Sequence, residues 1–437
     1  MWEILSLARH TFRESVRKKV MLVAGLYVVV VVVSTGLAPS YYPEARTELA
    51  LAVALKGMAL FGLITVVFLA ATNIPDDIHE QTIYSLLAKP VTRWRLVAGR
   101  TLGFVLLAAL LLLVMSVFSW AFIRFTARRY LDRAQEAELL AGRRFLPATS
   151  LQVLKGGQVQ EITPSPEGYY WVHGDLDMVA RYSFLNVLPA ARWGEHIVGE
   201  LEFISNARGT GVLRGVVTVT NPTTGRSEDI GLLYQNYKVS TFAFAPDLAD
   251  ERGNVLVEVK RSSTEDALGV RPRDLRLRLR PISFEWNLAK AVLSLLMGLT
   301  VAAALAVMGS TMLSSLVSIC FGFFLCFLGN VVEGLQGLAA SVAQPAAVFF
   351  NLTPGASLGL AEAPPTWMTV LGLVMRYLLT GVSLVVPDFR TFYASPYLLA
   401  GHSVPVSFLG SAALYLLLYG GGALVVAWLL FRRREML

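Results

Sequence analysis

The sequence predicts an α-helical polytopic membrane protein of about six transmembrane helices. An extracytoplasmic β-rich, sandwich-like domain is inserted between spans three and four. Three observations carry that expectation. Of 437 residues, 55% are hydrophobic and 16% charged, far from the balance of an average soluble chain. Several uncharged runs approach or exceed the ~20 residues a helix needs to cross a ~30 Å hydrocarbon core. Between them lies a block, Arg124–Asn287, with 21 Lys/Arg against 20 Asp/Glu. That block reads as short β-branched or alternating runs separated by turn residues.

The elements follow in chain order, within three segments divided at 123/124 and 287/288. Residues 1–19 predict an amphipathic helix on the inner leaflet. Met1, Leu5, Ala8, Phe12 and Val16 share one face, and Arg9, Arg13, Arg17, Lys18 and Lys19 can reach lipid phosphates. A basic topogenic flank explains the same residues. Val20–Leu37 is the first span. Its length, and the spans after it, favour an uncleaved anchor over a signal peptide. Leu49–Ala71, with a lone Lys56, is the second span and Leu102–Ile123 the third.

The stretch between spans two and three, Pro75–Gly103, is charged and carries helix punctuation. Pro75 suits a first helical position. Asp76 and Asp77 would follow in a first turn favoured by the helix dipole. Lys89 and Pro90 would end the helix, and Thr92 would cap the next one. A short surface helix over 76–89 is expected.

The inserted block opens with a charged helical stretch, then turns to strands after Pro147. Strands are predicted over Ile197–Ile204, Val212–Thr220, Ile230–Tyr234, Val239–Phe244, Val255–Val259 and Leu275–Leu279. Turns are expected at Asn221–Gly225 and Asp250–Asn254. Ala291–Val332 is uncharged and long enough for two spans, with a polar hairpin at Gly309, Ser310, Thr311, Ser314 and Ser315. Residues 333–405 read as extracytoplasmic helices that dip into the membrane or lie on it. If Leu338–Leu352 and Thr366–Val386 both cross, the count becomes eight. Val406–Phe431 is the last span.

Charge placement sets the expected orientation. Outside the inserted block lie 17 basic residues. Twelve cluster at Arg9–Lys19, Lys89–Arg100 and Arg432–Arg434. All three clusters are then cytoplasmic, as are both termini. Basic charge that hugs span ends argues for lipid phosphates and against a nucleic-acid partner. The two cysteines, Cys320 and Cys326, are six residues apart in an apolar run and do not share a helix face.

At this point the residues resemble a family, the permease subunit of type-2 ABC exporters. Three segments carry the resemblance: TFRESVRKKV before span one, DIHEQTIYSLLAKPVTRWRLVAGRTLG between spans two and three, and VPDFRTFYASPYLLAG with a final span ending FRRRE. The resemblance implies a multi-pass bacterial cell-membrane subunit that pairs with a second permease copy or a paralogue. It also implies a separate ATPase subunit, because the chain has no G-x-x-x-x-G-K-[ST] phosphate loop. The ATPase contact would fall on Asp77, Glu80, Thr82, Ile83, Leu86, Leu87, Lys89, Pro90 and Arg93. Ile83, Leu86 and Leu87 would pack while Asp77, Glu80 and Lys89 set register. An amphipathic loop resting on lipid is the competing account. The chain itself would carry no catalytic residue, cofactor or metal. A membrane-anchored binding module or membrane enzyme with an extracytoplasmic β-domain is the alternative function class.

Other constellations carry less. Gly355-Ala-Ser357-Leu-Gly359 matches G-x-S-x-G, followed by Asp388 and His402, but lacks the strand–turn–helix setting such a nucleophile needs. His10, His79, His173, His196 and His402 show no metal-ligand spacing, and Asp175 with Asp177 does not make a calcium loop. Lys56, Glu333 and Arg376 are charges in or beside apolar runs, where pathway and snorkelling roles compete. Arg276, Arg278 and Arg280 alternate with leucines and would share one strand face, either solvated or facing an anion or lipid headgroup.

Overall fold

A computed structural model describes residues 2–18, 20–37, 43–79, 92–165, 168–187, 196–205, 212–235, 238–264, 267–342, 374, 377, 380–381 and 386–433. The chain divides into a helical unit (Met1–Leu140, Glu285–Ala400 and Val404–Leu437) and a β-rich unit (Ala141–Phe284 with Gly401–Ser403).

The helical unit begins with α1 (Trp2–Arg17), α2 (Met21–Leu37) and α3 (Pro43–His79). It continues with α4 (Arg93–Tyr130), α5 (Arg133–Leu140), α6 (Phe284–Ser310), α7 (Ser315–Val342), the short α8 (Ser395–Leu399), α9 (Val406–Tyr415) and α10 (Gly421–Arg433). One π turn, Leu416–Gly420, joins α9 to α10. Among the described residues four helices are long and apolar enough to cross a membrane: α3, α4, α6 and the α9–α10 run. A fifth is added if α1 and α2, bent by 55°, count as one broken span. In α7 the apolar part Ser315–Val331 is shorter. The break between α6 and α7 falls on the polar hairpin expected there.

α3 differs from expectation at its end. Pro75 does not start a new helix; it lies inside α3, which runs on to His79. A proline within one turn of a helix end removes a single ladder bond and leaves the preceding turns intact. Asp76 and Asp77 therefore extend the long helix rather than open a short one. Residues 80–91 lie outside the described residues, and with them most of the expected 76–89 helix.

α1 forms over the expected stretch. Its buried residues are Ala8, Thr11 and Ser15. Of the predicted apolar stripe, Met1 lies outside the described residues, Ala8 is buried, Phe12 and Val16 are half-buried and Leu5 is 55% exposed. The small face is the buried one because α1 packs on α4 where α4 carries Gly99 and Gly103. A Cβ on Gly103 would lie 2.6 Å from the Thr11 Cβ and 2.9 Å from the Ala8 carbonyl oxygen. One on Gly99 would lie 2.8 Å from the Leu7 Cβ. Gly-x-x-x-Gly against small residues lets two helix backbones approach closely, and α1 uses that seam.

The β-rich unit contains β1 (Gly142–Pro147), β2 (Ser150–Lys155), β3 (Gln158–Gln160), β4 (Tyr170–Val172), β5 (Met178–Phe184), β6 (Ile197–Leu201) and β7 (Ile204–Ser205). It continues with β8 (Val212–Thr220), β9 (Ser227–Gln235), β10 (Ser240–Phe244), β11 (Val255–Arg261), β12 (Leu268–Val270) and β13 (Leu275–Ile282). They form three antiparallel sheets, ordered β1-β13-β6-β10, β3-β2-β5-β11-β8-β9 and β4-β12-β7. Alternate residues of the two larger sheets, among them Tyr182, Phe184, Val217, Val257, Leu201, Phe244 and Leu277, share one buried core.

Six predicted runs became strands. The first strand, however, begins at Gly142, ahead of Pro147, and β2 to β5 and β12 were not predicted. Both expected turns formed. The Asn221 side chain accepts from the backbone of Thr223 and Thr224. The Asp250 carboxylate accepts from the backbone of Arg252 and Asn254, and those donors hold its pKa below the usual range.

Candidate functional site

A polar cluster of the helical unit lies where α3 ends and α4 begins, at the two edges of the 80–91 segment. Arg100 of α4 is its centre. The side chain is 2% exposed although it carries a permanent charge, so it must be paired. Its Nη1 donates to Asn73 Oδ1 at 2.7 Å and to Glu14 Oε2 at 3.4 Å. Its Nη2 donates to the Asp77 carboxylate. Asn73 Nδ2 donates to Glu14 Oε1 at 3.3 Å. One guanidinium thus joins α1, α3 and α4.

Further bonds bring in other helices. Ser315 Oγ, at the start of α7, donates to Asp76 Oδ1 at 2.9 Å. Arg95 reaches Glu3 of α1 at 2.7 Å. Arg93 Nη1 donates to the carbonyl oxygens of Phe431 and Arg432 at 2.8 and 2.7 Å. A cation at a helix C-terminus satisfies carbonyls that the helix leaves unpaired. Beside it, Trp94 meets Trp428 edge to face, with ring centroids 6.3 Å apart. Both edges of the segment are therefore fixed, the end of α3 by α1, α4 and α7 and the start of α4 by α1, α3 and α10.

Of the nine residues expected to contact an ATPase, Asp77 and Arg93 fall in this frame and use their charges on internal partners. Glu80, Thr82, Ile83, Leu86, Leu87, Lys89 and Pro90 lie outside the described residues. Glu14, Asn73, Arg100 and Ser315 complete the frame; the sequence placed Arg100 in a basic cluster and Ser315 in a hairpin, but it singled out neither Glu14 nor Asn73 and tied none of the four to this frame. Glu14 had one signal, being the lone acid in a basic stretch. Gly99 and Gly103 had another, their four-residue spacing.

In the β-rich unit, Arg276, Arg278 and Arg280 do share a face of β13. Two of them are engaged there. Arg276 Nη2 lies 3.1 Å, and Arg278 Nε 2.5 Å, from the carboxylate of Glu200, which is 3% exposed. Arg276 also stacks on Phe145 of β1 at 4.3 Å. Arg280 is exposed. Gly401–Ser403 runs beside β1, with backbone bonds at 2.8 Å between Arg143 and both Gly401 and Ser403. This places His402 against Phe145, ring centroids 5.1 Å apart. Burial lowers the His402 pKa, and the nearby Arg276 and Arg143 lower it further against the opposing pull of Glu200.

No His/Cys/Asp/Glu group among the described residues is arranged to hold a metal ion. Ser357 and its flanking glycines, Arg376 and the Glu333 side chain lie outside the described residues. Neither comparison with protein-family models nor comparison with curated proteins gives a match.

Proposed function

We propose that the chain is the transmembrane subunit of an ATP-driven ABC exporter. In this reading a separate ATPase subunit docks on the 80–91 segment, and a second copy or paralogue completes the pathway. Six crossings are assigned to α2, α3, α4, α6, α7 and the α9–α10 run. Both termini are cytoplasmic and the sandwich-like β unit is extracytoplasmic. The single observation that carries the reading is the anchoring of both edges of 80–91. A linker between two spans needs no such frame. An element that passes force from a soluble motor to the membrane does, because a loose lever would absorb the motion.

Charge spacing along the helices supports the membrane placement. Between Arg100 and Arg124 no residue of α4 is charged. At 1.5 Å per residue those guanidiniums stand about 36 Å apart, bracketing a ~30 Å hydrocarbon core. Trp94 and Trp428 near one level, and Trp120 with Trp286 near the other, fit interfacial aromatic belts.

The test is co-purification in mild detergent with mass spectrometry of the bound proteins. The wild type should bring down a nucleotide-binding subunit. Leu86→Asp, which puts a charge into a contact centre, should release it or abolish stimulated ATP hydrolysis while membrane abundance persists. Full retention of subunit and activity in Leu86→Asp would reject the docking role. An anchored binding module, the reading favoured by the β unit's own closed core, would emerge from the wild type without any such partner.

A further inference from the structure

The helical unit holds a cavity of about 830 Å³ that the coupling frame does not use. Its walls are apolar: Leu60 and Ile64 of α3, Leu295 of α6, and Phe323 and Phe327 of α7. Its mouth is apolar too, since Leu60, Ile64 and Phe327 are exposed. Among the described residues its lining contains one charged side chain, Lys56 of α3, and no acidic one. The polar rim is completed by Tyr393 and by Asn330, whose Nδ2 donates to the Cys326 carbonyl oxygen at 2.8 Å.

The depth of Lys56 is the second observation. It stands 17 residues before Asn73 on the same helix, about 26 Å along the axis. The Asn73–Arg100 cluster marks one edge of the charge-free zone. With a core of ~30 Å, Lys56 reaches the opposite edge, where its four-carbon stem lets the ammonium meet headgroups while the cavity below it faces acyl chains. A cation that is alone among the described lining residues, above an apolar slot that opens sideways, matches an amphiphile with a negative head.

We propose that this cavity binds an anionic phospholipid, with an acyl chain between α3, α6 and α7 and the phosphate on Lys56. A second copy of the chain fits the slot less well. It would close an apolar interface over an ammonium for which the described lining provides no carboxylate, and an uncompensated buried charge is costly. The inference rests on membrane placement alone, so it stands or falls separately from ATPase coupling.

The experiment uses the full chain in phosphatidylcholine nanodiscs and a phosphatidylglycerol probe with a diazirine in its acyl chain. Adducts should map to the Leu60–Ile64 and Phe323–Phe327 peptides. Unlabelled phosphatidylglycerol should compete roughly fivefold better than phosphatidylcholine. Lys56→Gln should erase that preference and Lys56→Arg should keep it. Leu63→Trp, which fills the slot from a neutral position, should suppress the adducts at unchanged monodispersity. Equal competition by both lipids in wild type and Lys56→Gln would overturn the proposal. So would rapid oxidative cross-linking of Phe327→Cys between copies with no lipid adduct, which would make this face a dimer interface.

Discussion

Arg100 Nη1 donates a 2.7 Å hydrogen bond to Asn73 Oδ1, and through that contact α4 is tied to the last turns of α3. The amide does more than accept. Its own Nδ2 points to Glu14 of α1, so the three side chains close a ring that neither a lysine nor an aspartate at position 73 would reproduce. A guanidinium can serve two helices at once because its donors are fixed in a planar fork.

Arg100→Gln should therefore be strongly destabilising. Removing one partner of a buried ion pair leaves the others uncompensated, typically at a cost of about 3–5 kcal/mol. Part exposure of Glu14 places the expected loss toward the lower end. Arg100→Lys should recover only part of it, since an ammonium cannot reproduce the two-armed geometry. Thermal unfolding in detergent checks both. A melting temperature for Arg100→Gln within a degree of wild type would show that the cluster is not structural.

The α1–α4 seam gives a local prediction. In Gly103→Val the new Cβ meets the Ala8 carbonyl oxygen, which cannot rotate away. α1 should lift from α4, and trypsin should cut at Arg13 or Arg17 much faster than in wild type. Gly25→Val in α2 is the control, because no described atom lies within 4 Å of a Cβ there. Equal cleavage rates for the two variants would mean that α1 is not held by this seam.

What could be read in the sequence follows from which interactions are local. The helices announced themselves through apolar runs, and the Gly309–Ser315 hairpin through its own hydroxyls. Val212–Thr220 was legible because a β-branched run of that length, closed by an Asn-Pro turn, fits a strand and no helical period. β2 and β12 were not legible: Ser150–Lys155 and Leu268–Val270 are short or mixed, and gain their strand character from neighbours far away in sequence. Pro75 misled for a related reason. Its local preference for a helix start was overridden by a long helix already in place. The Arg100 cluster was invisible because its members are distributed over residues 14, 73, 77 and 100. Likewise the β13 arginine face was readable, but the buried Glu200 that engages Arg276 and Arg278 was not. Replacing both Arg276 and Arg278 by Gln would therefore strand a carboxylate in the interior, whereas Arg280→Gln would touch only solvent.

His402 makes the β-rich unit sensitive to mild acid. Its folded-state pKa lies below the ordinary 6.5, so the folded form binds fewer protons than the unfolded one. The resulting stabilisation is present above about pH 6.5 and is lost as pH falls through the lowered folded value. The facing groups are Arg276, Arg143 and Glu200. Melting temperature should therefore drop between pH 7 and pH 5, and His402→Phe should flatten that slope while keeping the ring packed near Phe145. An unchanged slope in the variant would assign the acid sensitivity to other groups.

In the proposed topology the basic clusters at Arg9–Lys19, Lys89–Arg100 and Arg432–Arg434 lie on one side of the membrane, which requires an even number of crossings between the termini. A single cysteine at Ser85 should be shielded from an impermeant thiol reagent in intact cells, and one at Arg434 should be shielded as well. A cysteine at Ser227, exposed at the start of β9, should react. Each variant is made in a background lacking Cys320 and Cys326, and permeabilised cells show that each site is chemically reactive. A shielded Ser85 site with a labelled Arg434 site would mean an odd number of crossings. Labelling of Ser85 itself would put the 80–91 segment out of reach of any cytoplasmic ATPase. Shielding of Ser227 alone would turn the β-rich unit inward and remove the case for its extracytoplasmic role.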